Sequence, residues 1–153
     1  MRLVGVIADT HGLLRPEAVA ALHGCDLILH AGDVGRPEVL DRLREIAPVV
    51  AVRGNVDRGV WADALPLTET IDLGRFQVHM LHERRALGVD AKTARYAAVI
   101  YGHSHRAEAE TDAGVLYLNP GSAGPRRFRL PVTLARLDVS GSRLVHEMVA
   151  LHE

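Results

Sequence analysis

Seven residues of metal-binding type stand at the ends of five short apolar runs. Asp9 and His11 follow the run 3–8. Asp33 follows 27–31 across Gly32, and Asn55 follows 49–53 across Gly54. His82 follows 76–81, and His103 and His105 follow 97–101 across Gly102. Taken singly each has a bland explanation, because an Asp after a strand is often a helix cap and a lone His is often structural. Taken together they form a donor set of carboxylate, imidazole and amide oxygen with no thiolate. That set suits Mn²⁺, Fe²⁺, Zn²⁺ or Ni²⁺ better than Ca²⁺ or Cu⁺. Seven ligands are too many for one tetrahedral ion but suit two ions sharing a bridging carboxylate, which is a centre for hydrolysis. The i, i+2 spacing of Asp9 with His11 and of His103 with His105 predicts extended chain that aims both members of each pair the same way. The glycines before Asp33, Asn55 and His103 predict sharp backbone turns.

The elements that must position these residues follow from the apolar pattern. Strands are predicted over 3–8, 26–31 and 49–52. Between them, helices are predicted from Pro16 to about His23 and over 37–47, each with proline in its first turn. Val39, Leu40, Leu43 and Ile46 share one helix face, while Glu38, Asp41, Arg42 and Arg44 point outward. This β-α-β-α-β opening predicts a parallel sheet covered by helices. In such sheets ligands bind outside the carboxyl ends of the strands, where the seven residues stand. The second half is richer in strands. Segments 67–73 and 76–81 flank Gly74-Arg75 as a hairpin, and 86–96 is predicted helical. Further strands are predicted over 97–101, 107–111, 115–118, 132–139 and 144–151. The expectation is an α/β protein, a two-sheet β-sandwich flanked by helices, with residues 1–153 forming one domain.

Bulk composition narrows the function. Of 153 residues, 48% are hydrophobic and 24% charged, so an ordinary globule with a real core is expected. A formal net charge of −1 gives no bulk attraction for nucleic acid or an anionic membrane. The first apolar run is broken at Asp9, too soon for a signal peptide, and no run is long enough to span a bilayer. Cys25 is the single cysteine, which excludes a disulfide framework and points to the cytoplasm. Cys25 is expected to be a small buried hydrophobe.

The ordered set Asp9-x-His11, Gly32-Asp33, Gly54-Asn55, His82 and Gly102-His103-x-His105 resembles the calcineurin-like metallophosphoesterases. The chain length and the Asn119-Pro120-Gly121-Ser122 segment look like the family's small single-domain prokaryotic phosphodiesterase branch. The resemblance spans nearly the whole chain. It implies one metal held by Asp9, His11, Asp33 and His105, and a second held by Asp33, Asn55, His82 and His103. Asp33 would be the bridge. It implies two divalent cations, Mn²⁺ first with Fe²⁺, Zn²⁺, Ni²⁺ or Mg²⁺ as alternatives, and a metal-bridging hydroxide as nucleophile on a small phosphodiester. Asp33, Asn55 and His82 would then be reacting-centre residues.

The chain departs from the family at two positions. Many relatives carry a His after the Gly-Asn pair that can protonate the leaving group; here Val56 stands there, so poor leaving groups should react slowly. Asp57 follows, either orienting a ligand or water within the catalytic set or serving as a turn residue. The family often has Gly after the fourth-motif His. Here it is Glu83, either a hydrogen-bond partner of a ligand His or a solvated side chain.

Other residues carry weaker signals. Arg126 and Arg127, within Arg126-Arg127-Phe128-Arg129, are candidates for phosphate contact; the alternative is a solvated loop anchored by its aromatic ring. Asn119 and Ser122 could support ligands or simply form a turn. Trp61 is expected to pack rather than stack a base, and His79 to face away from His82. His30 is either packed or a partner of the ligands. His23, His146 and His152 are expected at the surface or core edge. Two rival functions share the core. One is a nuclease or nucleotidase, in which the basic cluster and Trp61 would contact the substrate. The other is a protein-interaction scaffold, as the retromer's small subunit, similar to this family, is regarded. Either a monomer or a homodimer fits the pattern.

Overall fold

The structure is a computed structural model that describes residues 1–151, so the surface placement expected for His152 lies outside the described residues. The first half gives β1 (Leu3–Ile7), α1 (Pro16–Leu22), β2 (Leu27–His30), α2 (Pro37–Arg44) and β3 (Val49–Ala51), followed by the short α3 (Val60–Asp63). The second half gives β4 (Thr68–Leu73), β5 (Phe76–Leu81), β6 (Ala98–Ile100), β7 (Glu108–Asp112), β8 (Val115–Asn119), β9 (Thr133–Asp138) and β10 (Val145–Ala150). Two five-stranded mixed sheets result, ordered β10-β9-β1-β2-β3 and β4-β5-β6-β8-β7. In the first, β1, β2 and β3 are parallel and β9 runs antiparallel to β1. In the second, β5, β6 and β8 are parallel between the antiparallel edge strands β4 and β7.

Strand parity explains the layering. Val4, Val6 and Leu29 of the first sheet pack against Val78, Met80, Ile100 and Leu118 of the second, forming the core between the sheets. The intervening positions Ile7 and Ile28 turn outward and pack with Leu22 of α1 and Leu40 and Leu43 of α2. Successive strand residues face opposite sides, so β1 and β2, at the middle of this sheet, are buried on both faces and read as largely apolar runs. The polar β7, exposed at every position, closes the far edge of the second sheet and is a poor template for further pairing. No helix among the described residues is long and apolar enough to cross a membrane.

The helix predicted over 86–96 is not formed. A single 3-10 turn spans Arg84–Ala86, followed by irregular chain. Asp90 accepts hydrogen bonds at Oδ1 from the N–H groups of Lys92 (3.0 Å) and Thr93 (3.4 Å), capping one turn. Arg95 then takes a left-handed conformation (φ 63°) and ends it. With Gly88 on the other side of the cap, too few residues remain to repay helix nucleation. Leu87 and Tyr96 instead pack over Leu81, Val99 and Val115 on the outer face of the second sheet.

Candidate metal centre

The carboxyl ends of β1, β2, β3, β5 and β6 meet at one edge and bring the seven predicted ligands together. They fall into two adjoining groups. Ligand atoms of Asp9, His11 and His105 lie within 4.8 Å of one another, as do those of Asp33, His82 and His103. Asp33 Oδ2 faces both groups, 3.7 Å from His11 Nε2 and 3.1 Å from His82 Nε2. Asp9 Oδ1 lies 3.9 Å from His11 Nε2 and 3.8 Å from His105 Nε2. Asn55 Oδ1 lies 3.3 Å from His103 Nδ1.

The convergence is achieved differently from the predicted route. Asp9, His11, Asp33, His103 and His105 all have positive φ, between 46° and 75°. The two i, i+2 pairs therefore sit on tightly curled backbone, not extended chain. Such conformations are uncommon for residues other than glycine and gather at functional sites. Of the three preceding glycines only Gly32 has positive φ (101°). Gly54 serves close approach instead: a Cβ there would lie 2.1 Å from the Asp33 nitrogen.

The site's own polar atoms call for a cation. Asp9 Oδ1 and His82 Nε2 are buried without a hydrogen-bond partner. His82 Nδ1 lies 2.8 Å from the Ala31 carbonyl, so Nδ1–H donates there and Nε2 is left with its lone pair facing the carboxylates. Burial raises the Asp9 carboxyl to about 7; His82 opposes this and Asp33 adds to it. Burial lowers His105 to about 4, helped by the nearby His11 and Arg127 charges. His11 is also lowered, chiefly by burial. For Asp33, burial pushes upward but is outweighed by His82 and the Val56 N–H, so the net shift is downward. For His82, burial pulls downward but is outweighed by Asp33 and the Ala31 carbonyl, so the net shift is upward. Buried carboxylates beside the His11 and His105 imidazoles, which burial keeps toward the neutral form, are costly alone and fit divalent cations well.

A surrounding network fixes these loops. His30 Nδ1 accepts the Gly32 N–H (3.1 Å), which puts the ring proton on Nε2, 3.0 Å from Thr10 Oγ1. Thr10 in turn donates to the Val34 carbonyl at 2.8 Å. Burial drives His30 down to about 3, so the ring is neutral. Thr10 was not legible as a functional position; its only signal is its place between Asp9 and His11. Asp57 is buried, and its carboxylate accepts from the N–H groups of Gly54 (2.9 Å), Val34 (3.2 Å) and Gly35 (2.9 Å). It therefore ties the Asp33 and Asn55 loops together through these backbone bonds. Asn119 Nδ2 donates to the Gly102 carbonyl and Ser122 Oγ to the Asp9 carbonyl, at 3.0 and 3.1 Å.

The remaining candidates divide. Glu83 Oε1 lies 3.4 Å from His103 Nε2 and 3.0 Å from an Arg85 nitrogen. Arg126 and Arg127 are exposed, and the Arg127 charge reaches Asp9, His11 and His105. Phe128 is 89% exposed, so it does not anchor that loop. Trp61 of α3 is partly buried and packs against the core between the first sheet and its helices, and His79 stacks on Tyr96 away from the site. His23 and His146 are exposed.

A family model described as the calcineurin-like phosphoesterase superfamily domain matches residues 1–142. A protein of Methanothermobacter thermautotrophicus named as a probable metallophosphoesterase is 33% identical over 159 aligned positions, covering 96% of this chain and 91% of the relative. Among solved structures, an archaeal phosphodiesterase superposes with a TM-score of 0.79 at 22% identity, covering 96% of this chain and 99% of that one. Vps29 of Entamoeba histolytica complexed with Zn²⁺ superposes with a TM-score of 0.72 at 25% identity, covering 98% and 99%.

Proposed function

This chain belongs to the calcineurin-like phosphoesterase superfamily, and we propose that it is a cytoplasmic, single-domain phosphodiesterase working through two divalent cations. Asp9, His11, Asp33 and His105 hold one ion; Asp33, Asn55, His82 and His103 hold the other. One observation carries this reading: Asp33 Oδ2 lies 3.7 Å from a ring nitrogen of one group and 3.1 Å from a ring nitrogen of the other. A single carboxylate oxygen facing both groups is what a shared ligand requires. Bound ions supply a water acidic enough to attack phosphorus and offset charge on the phosphoryl oxygens. Mn²⁺ is the cation proposed first, with Fe²⁺, Zn²⁺, Ni²⁺ or Mg²⁺ as alternatives for a set of carboxylate, amide oxygen and imidazole without thiolate.

The protein's own part is positional. The Ala31 carbonyl holds the His82 tautomer. Asp57 holds two ligand loops in register, and Arg127, with Arg126 beside it, brings positive charge toward an incoming phosphate. Val56 offers no proton to the leaving group, so aryl diesters should react faster than alkyl monoesters. The complete donor set favours an enzyme over a scaffold of the same fold. Net charge of −1 favours a small diester over a polynucleotide. The test is bis(p-nitrophenyl) phosphate hydrolysis by chelator-stripped protein, with and without Mn²⁺. Turnover restored by Mn²⁺ is expected. No turnover with two equivalents of metal bound would overturn the reading.

A further inference from the structure

We propose that the cavity beside Asn55 and His82 is a subsite for an uncharged, largely apolar ester group of the substrate, such as an aryl ring. This rests on the phosphodiesterase reading above and extends it to the class of substrate. The cavity has a volume of about 320 Å³, and Asn55 and His82 form part of its wall. A phosphoryl group held at the ligand cluster would therefore have one ester arm directed into it.

The lining defines what that arm can be. Leu81 is a buried wall at 2% exposure, while Leu67, 62% exposed, stands at the rim. Ala86 contributes a methyl group, leaving room where a larger side chain would fill the space. The two charged residues in the lining have partners of their own. Arg53 pairs with Asp63 at 3.3 Å, and Glu83 with Arg85 at 3.0 Å. A charged ester group would compete with those pairs; a neutral one would cover apolar surface without disturbing them. The wall is also fixed, because the Arg53 N–H donates to the Pro66 carbonyl at 2.8 Å and ties the end of β3 to the start of β4. The volume suits a small organic group at the lower end of ligand pockets. A larger cavity of about 580 Å³ lies at the opposite end of β1, beside Arg2 and Asp26, and shares no residue with the ligand cluster.

Calorimetric titration of Mn²⁺-loaded protein with phenylphosphonate and methylphosphonate tests this without relying on turnover. Burial of the ring should make phenylphosphonate bind roughly tenfold tighter. Ala86→Trp, which fills the space, and Leu67→Asp, which charges the rim, should each remove most of that preference while methylphosphonate still binds. Equal affinities in the unmodified protein, or a preference that survives both substitutions, would overturn the subsite. Methylphosphonate reports on the metal pair alone. If neither phosphonate binds the loaded protein, the phosphoesterase reading falls and the subsite with it.

Discussion

The two ends of the ligand cluster are built to different standards. At one end Asp9 is fully buried and His105 is 6% exposed. Backbone bonds stitch the loops there: Asp9 N–H to the Gly32 carbonyl and His11 N–H to the Asp33 carbonyl, both at 3.0 Å. At the other end Asn55 is exposed, and the His103 side chain is 40% exposed, held by Asn55 at 3.3 Å and Glu83 at 3.4 Å. Buried donors fixed by neighbours need little reorganisation to bind an ion, whereas exposed ones compete with water and lose side-chain freedom. If two cations bind as proposed, the difference predicts a tight ion at the Asp9 end and a more exchangeable one at the Asn55 end.

The strongest way to break this comparison is to remove the residue common to both ends. Asp33→Asn should weaken both ions and lower diesterase activity by more than ~100-fold, beyond what loss of an outer partner of a ligand costs. Metal titration of the variant should show two weakened equivalents. One equivalent left at full affinity would mean that Asp33 belongs to a single end.

Asn55→Ala sharpens the comparison. It should reduce the affinity of one Mn²⁺ equivalent by ~10- to 100-fold and leave the tighter one in place. Its folding should be little changed, since the side chain is exposed and, among the described residues, hydrogen-bonds to His103 alone. Equal loss at both equivalents would show that the two ends are not separable. Val56, next in sequence and 42% exposed, offers a smaller test at the same end. Val56→His should raise turnover of alkyl phosphoesters about tenfold, below the 10²–10⁴ of an evolved general acid. Aryl esters, which leave without a proton, should gain little. A gain shared equally by both classes would mean that the new imidazole acts otherwise than as an acid.

How much of this was legible depends on the range of the signal. Strands β1, β2 and β6 were readable because burial on both faces makes their runs largely apolar, β5 because Phe76, Val78 and Met80 alternate with Gln77 and His79, and the ligands were readable because chemistry restricts their types. The stretch 86–96 was misread because its helical composition is local, whereas Asp90 and the left-handed Arg95 cut it by hydrogen bonding and backbone geometry. The curl of the Asp9–His11 and His103–His105 loops left no trace either. Non-glycine residues with positive φ are held there by tertiary hydrogen bonds, which spacing does not encode. Asp57 could be singled out as a polar residue near the site. Its role was not readable, because its partners Val34 and Gly35 are 23 and 22 residues away.

His30 carries the last and smallest prediction, which concerns the packing beneath the buried end. It is fully buried and neutral, with its folded pKa near 3 against an ordinary 6.5. Between those values the unfolded chain binds a proton that the folded chain does not. Stability supplied by this residue is therefore complete above pH 6.5 and is lost as pH falls toward 3, by roughly 1.4 kcal/mol per pH unit. Other groups titrate in the metal-free protein. His105, lowered to about 4, pulls in the same direction, and Asp9, raised to about 7, pulls in the opposite one. The net slope of the wild type is thus a sum, and the informative quantity is the change on substitution. His30→Gln removes one titrating group from the buried end while keeping a polar side chain near the Gly32 N–H and Thr10. Denaturant unfolding of the metal-free proteins at pH 7, 6 and 5 should show a shallower acid loss in the variant, even though the variant is less stable at pH 7. Parallel curves would mean that His30 takes up its proton in the fold as readily as in the unfolded chain, and its Nδ1 could not then accept the Gly32 N–H.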